Sequence, residues 1–285
     1  MDVRKDVSEF LTSRRAKLNP LDVGLPNYGS RRRVPGLRRE EVAMLAGVSV
    51  DYYTRIERGN LDGVSDSVLE AVMRVLNLDA AEREYLANLA GITAKRKSVR
   101  TPAKPATLRP GLLRLLEAIN EVPAYVRNET LDILATNALA DKFFEPMRDA
   151  DGRPMNIARF MFLNPKAREF FVEWDRIAED TVGVLRTVAS RNPFDKSLTD
   201  LIGELCTQSE FFSVRWANHN VFIHSMGSKK FNHPEVGQMT LFFEALDLIT
   251  DPGLSLITYV AEKGSASDDA LKLLAISANE KLRAN

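Results

Sequence analysis

The 285-residue sequence is poor in three residue types: it has one cysteine, three histidines and two tryptophans. A lone Cys206 cannot close an internal disulfide, so the fold depends on its apolar core and suits a reducing compartment. No stretch reaches the roughly 18 consecutive apolar residues of a membrane span. The opening MDVRKD also lacks the apolar run of a secretory signal, and a cytoplasmic protein without a membrane partner is expected. His219, His224 and His233 are spaced by five and nine residues with no cysteine nearby, which fits no compact ligand motif, so no metal is expected. The chain has no nucleophile elbow, phosphate loop or dinucleotide fingerprint. The acid pairs Glu40 with Glu41 and Asp268 with Asp269 read as charges at helix starts. Neither an enzyme nor a cofactor is expected, and no internal repeat is visible.

Charge and pattern divide what remains. Residues 1–110 carry 20 Lys and Arg against 14 Asp and Glu, and the rest carry 19 against 25. A basic half joined to an acidic one is the asymmetry expected of a nucleic-acid-binding domain beside a partner domain. Helical spacing predicts helices over about Val7–Leu18, Arg38–Ala46, Val50–Arg58, Asp66–Leu76 and Ala80–Ala90. Between 93 and 110 the pattern collapses into Lys, Arg and Pro with few large apolar residues, a composition that reads as a tether. Beyond it, β-rich runs are predicted at Ala124–Arg127, Leu131–Thr136, Phe211–Trp216, Val221–His224, Met239–Ala245 and Leu254–Ala261. Helical stripes lie between them. The expectation is a multi-domain chain: an all-α domain over 1–92, a basic linker over 93–110 and an α+β domain over 111–285.

LRREEVAMLAGVSVDYYTRIERG, from Leu37 to Gly59, meets the requirements of a helix-turn-helix together. Two helices crossing steeply need a small residue at their contact and a sharp turn; Ala43 and Gly47 supply them. Val42, Ala46, Val48, Tyr53 and Ile56 form the apolar seam. Ser49 is placed to cap the second helix, and Asp51 in its first turn suits the helix dipole. That second helix leaves a polar N-terminal turn free to enter the major groove of double-stranded DNA. Val50, Asp51 and Arg55 are the candidates for base edges: a thymine methyl, a cytosine amine and a guanine, respectively. Arg38, Arg39, Ser49, Tyr52 and Thr54 are the candidates for the phosphate backbone, joined by the run Arg31, Arg32 and Arg33 in the preceding loop. Glu57 is expected to face inward to a basic partner such as Arg14.

The motif resembles the Cro/repressor-type helix-turn-helix of the xenobiotic-response-element regulators of bacteria. RRRVPGLRREEVAMLAGVSVDYYTRIERG is similar to the MmyB-like subgroup. So is the C-terminal half, in RNPFDKSLTDLIGEL, SEFFSVRWANHNV, KKFNHPEVGQMTLFFEALDL, DPGLSLITYVAEKGS and SDDALKLLA. The resemblance implies a sequence-specific transcription factor, usually a homodimer, with a PAS-like ligand-binding domain in which a relative is thought to hold a fatty acid. NLDGVSDSVLEAV departs from the family by lacking a Pro-Ser start after the recognition helix, where Ser65 or Asp66 can still cap.

Aromatic residues concentrate in the C-terminal half, as the wall of an apolar pocket for a small-molecule effector requires. Phe160, Phe170, Trp174, Trp216 and Phe242 are the candidate lining residues. Arg215 and His219 are the candidate carboxylate partners at its mouth. The alternative is that this domain docks a protein partner instead of a small molecule.

Overall fold

The computed structural model describes residues 2–25, 36–91, 108–148, 152–193, 195–218 and 226–284. They fall into two compact units. One holds the described residues of Met1–Thr101, Arg186–Thr199 and Trp216–Phe222; the other holds those of Pro102–Leu185, Asp200–Arg215 and Ile223–Asn285.

The first unit is built on five helices: α1 (Val3–Lys17), α2 (Arg39–Ala46), α3 (Val50–Glu57), α4 (Asp66–Val75) and α5 (Ala80–Leu89). Local chemistry sets their starts. The Asp2 carboxylate accepts from the Arg4 and Lys5 amides, and Ser65 Oγ accepts from the Val68 amide, so a serine begins α4 where the family's Pro-Ser is missing. Asp79 and Glu82 cap α5 reciprocally. Val7, Phe10 and Leu11 of α1 are fully buried with Val42, Ala43, Tyr53, Ile56, Val72 and Tyr85. Phe10 meets Tyr85 edge-on, with ring centroids 5.0 Å apart.

The second unit is α+β, as the sequence predicts. It contains α6 (Pro110–Ala118), β1 (Ala124–Asn128), β2 (Ile133–Thr136), α7 (Ala138–Phe143), α8 (Ile157–Leu163) and α9 (Lys166–Phe170). Then come α10 (Trp174–Arg191, in this unit up to Leu185), α11 (Lys196–Gln208, here from Asp200), α12 (Glu210–Ala217, here up to Arg215), β3 (Met226–His233), β4 (Gly237–Asp247), β5 (Leu254–Val260) and α13 (Ala266–Ala284). The strands form one antiparallel sheet in the order β2-β1-β5-β4-β3. Alternation along the strands gives the sheet two apolar faces. Leu112 and Leu116 of α6 cover Ala124, Val126, Leu254 and Leu256 on one side. On the other, Tyr125, Phe231, Leu241, Phe243, Ile257 and Tyr259 pack beneath helices in the main core.

One predicted element differs, and one strand goes unpredicted. Phe211–Trp216 has a strand-like composition but lies in α12, a helix whose first turn is fixed by Ser209 Oγ accepting from the Phe212 amide. The cap outweighs the weak β-propensity of a short aromatic run. Strand β3 was not foreseen, because MGSKKFNH carries little apolar alternation; its pairing with β4 from Met226↔Glu244 to His233↔Gly237 supplies the order instead. The predicted strand Val221–His224 lies outside the described residues.

Candidate DNA-binding helix and ligand cavity

The turn between α2 and α3 is made by Gly47 at φ +70°, where a side chain would be strained. The Val48 amide closes it onto the Ala43 carbonyl at 3.0 Å. Ser49 Oγ accepts from the Tyr52 amide at 3.1 Å and starts α3. Arg38 ends the incoming segment, its amide donating to Glu41 Oε2 at 2.7 Å. Gly36 fixes that segment against α1: a Cβ there would sit 2.2 Å from the Arg15 carbonyl. The predicted seam is in place, with Val42, Ala43, Tyr53 and Ile56 fully buried and Ala46 and Val48 packed against them.

One side of α3 is thereby locked and the other is presented. Glu57 faces inward, 1 % exposed, but its partners are Arg15 at 2.5 Å and Arg39, not Arg14. Arg14 instead pairs with Glu82 of α5 at 2.6 Å. Helical rotation explains the exchange: Arg15, one position along α1, faces α3, while Arg14 faces α5. Arg15 also donates to the Leu37 carbonyl at 2.7 Å, so one buried guanidinium joins α1, the entry to α2 and α3. Arg39 has a structural duty that its assignment to phosphate did not include, although about half its side chain stays exposed.

On the outer side of α3, Val50, Asp51 and Arg55 are exposed and Tyr52 and Thr54 partly so. Ser49 and Arg38 are exposed beside them. The Arg55 guanidinium lies over the Tyr52 ring, 5.4 Å from its centroid, and donates to the Asp62 carbonyl. The side chain is held along the helix flank, with further N–H groups available. Arg31, Arg32 and Arg33 lie outside the described residues.

In the second unit a cavity of about 60 Å³ lies between the sheet and α10. Tyr125, Arg127, Lys229, Phe243 and Tyr259 face it from the strands, and Ile177, Asp180, Thr181 and Val184 from α10. Phe144, Leu131, Met147 and Ile157 close the sides. Burial pushes the Tyr125 and Tyr259 phenols up, so both remain protonated over the ordinary pH range. Lys229 is held down to about 8 from 10.5, by burial first and by the neighbouring Arg127 guanidinium second, with Asp180 opposing. Its Nζ lies 4.7 Å from the Phe243 centroid and 6.0 Å from that of Tyr259.

None of the predicted ligand residues lines this cavity. Phe160 and Phe170 are buried in the core, and Trp174 Nε1 donates to the Met161 carbonyl at 3.1 Å. Arg215, on α12, pairs with Asp175 at 2.5 Å and lies over the Trp174 ring. Trp216 stacks with Arg186, 4.3 Å from ring to guanidinium. Phe242 lies on the outward sheet face, 48 % exposed, paired in register with Val260. His219 is outside the described residues. His233 is the last residue of β3, just before the β3–β4 turn, stacked on Phe143, its Nδ1 accepting from the Glu235 amide at 3.2 Å.

Comparison with known families matches both units. Residues 9–86 fit a helix-turn-helix domain, and residues 108–274 fit the MmyB-like transcription regulator ligand binding domain. The chain belongs to the MmyB-like transcription regulators. No curated protein matches it closely enough to count as a relative. The N-terminal unit thus carries a helix-turn-helix domain and the sheet unit a ligand-binding domain of this family. Among the described residues no helix is long and apolar enough to cross a membrane.

Proposed function

We propose that this protein is a sequence-specific regulator whose homodimer reads two DNA half-sites and whose C-terminal domain responds to an apolar small molecule. The reading places it in the cytoplasm, with double-stranded DNA as its macromolecular partner and a basic tether over 93–110. The observation that carries it is the two-sided build of α3: Glu57 ties the inner side to Arg15 and Arg39, leaving Val50, Asp51 and Arg55 exposed. A helix so anchored presents a fixed face to base edges. Arg38, Ser49, Tyr52 and Thr54 flank that face and serve the phosphates, which set register without reading sequence.

The sheet order β2-β1-β5-β4-β3, with a cavity between sheet and helix, supports a PAS-like sensor. A fatty acid belongs to the effector class, but a cavity of about 60 Å³ takes a long acyl chain only after its walls move. The exposed pair Phe242 and Val260, with Leu246 further along β4, supports self-association through the outward sheet face.

Selection from a pool of random duplexes tests the DNA reading. The expected product is an inverted repeat with half-sites about 10–10.5 base pairs apart, or a multiple of that spacing. A pool that shows no enrichment contradicts it.

A further inference from the structure

Two strand residues break the apolar character of the inward sheet face. On β3, Lys229 occupies the inward register shared by Phe231 and His233; on β1, Arg127 occupies that of Tyr125. Placing cations at such positions is costly unless each finds an acceptor. Among the described residues, Lys229 Nζ has no hydrogen bond or ion pair, and only the Phe243 and Tyr259 rings attend it. Arg127 has no ion-pair partner there, and its Nε is buried without a hydrogen bond. The one carboxylate on the wall, Asp180, is engaged by Arg176 at 3.3 Å. Arg176 is itself tied to Glu173 at 2.7 Å and to the Ser228 carbonyl at 2.9 Å. The wall therefore presents two cations whose complement is missing from the described protein.

We propose that Lys229 and Arg127 form an anion-recognition point, and that the effector is a compact organic carboxylate whose apolar body sits among Phe144, Phe243 and Tyr259. The proposal rests on reading this unit as a ligand-binding domain. A carboxylate supplies two acceptor oxygens for a guanidinium fork and an ammonium, in surroundings where charge-assisted bonds are strong. The dimensions favour a short acid over a long one. The cavity's 60 Å³ is less than half of the roughly 150 Å³ that accommodates benzene in an engineered protein cavity, so an acid of benzene's size such as 3-methylbutanoate enters as the walls yield slightly, and a long chain needs a far larger opening. Such a site discriminates by charge, because a neutral ligand leaves both cations unpaired.

Isothermal titration of the full-length protein with 3-methylbutanoate, its neutral amide and dodecanoate tests this at pH 7. The short acid is expected to bind one per chain, about tenfold or more tighter than the amide. Lys229→Met is expected to remove that advantage and Lys229→Arg to retain most of it, with Arg127→Met weakening acid binding as well. Circular dichroism checks that each variant folds; should Lys229→Met fail to fold, the wild-type acid and amide still decide. Equal binding of acid and amide, or an advantage that survives Lys229→Met, overturns the anion point. Binding of dodecanoate without the short acid overturns the compact ligand. If the amide binds and no acid does, this proposal fails while the ligand-domain reading stands. If nothing binds, this proposal fails and the ligand-domain reading stands on the family match alone.

Discussion

Glu57 shows how one carboxylate can hold the second helix of a helix-turn-helix in place. It is almost wholly buried and shared between Arg15 and Arg39, so its removal strands a buried guanidinium. Breaking a buried pair from one side typically costs about 3–5 kcal/mol. Glu57→Ala is therefore expected to lower the stability of the N-terminal domain by about that much in urea denaturation. A loss below about 1 kcal/mol contradicts the structural role. Lys229 gives a second prediction at this scale. The charged groups acting on it are Arg127 from β1 and Asp180 and Arg176 from α10, and the nearby Tyr125 and Tyr259 phenols are pushed up. Its folded-state value of about 8 lies below the unfolded 10.5, so between those values the unfolded chain holds one more proton. Stability contributed by this residue is expected to rise with pH across that window. Thermal melts of Lys229→Met should lack this rise, and an unchanged profile contradicts the burial argument.

At the level of elements, the helix-turn-helix was legible because each of its requirements is local. Gly47 supplies the positive φ, Ser49 the cap and Ala43 the close contact, and all three stand within seven residues. Ser49→Ala is expected to cost about 1 kcal/mol in chemical denaturation through loss of the bond to the Tyr52 amide. A cost indistinguishable from zero contradicts the assigned cap. The sheet was legible where strands are apolar, as in β1, β4 and β5, and illegible where order comes from pairing, as in β3. FFSVRW misled because a strand and a half-buried helix share that composition; only the Ser209 cap, acting from outside the run, separates them. The cavity residues were missed for a related reason. Lys229 and Arg127 read as surface charges, and only the register of β3 on β4 and β1 on β5 turns them inward.

Across the whole molecule, residues that all look basic in sequence stand in quite different surroundings. Arg15 and Arg39 brace α3; on the proposed reading Arg38 serves phosphate, Arg55 reads a base, and Arg127 with Lys229 awaits an anion in the other unit. Effector and operator are linked on this reading: a ligand that weakens operator binding must bind the operator complex less well by the same factor. The most direct test of the central claim is fluorescence anisotropy with the selected operator and its single-base variants across a salt series, comparing Arg55→Ala with Arg38→Ala. Arg55→Ala is expected to erase about 1–3 kcal/mol of discrimination at one base pair. Arg38→Ala should weaken all duplexes alike and shallow the salt slope by about one. Discrimination left intact by Arg55→Ala, at every position of the operator, contradicts the assignment of α3 as the reading helix.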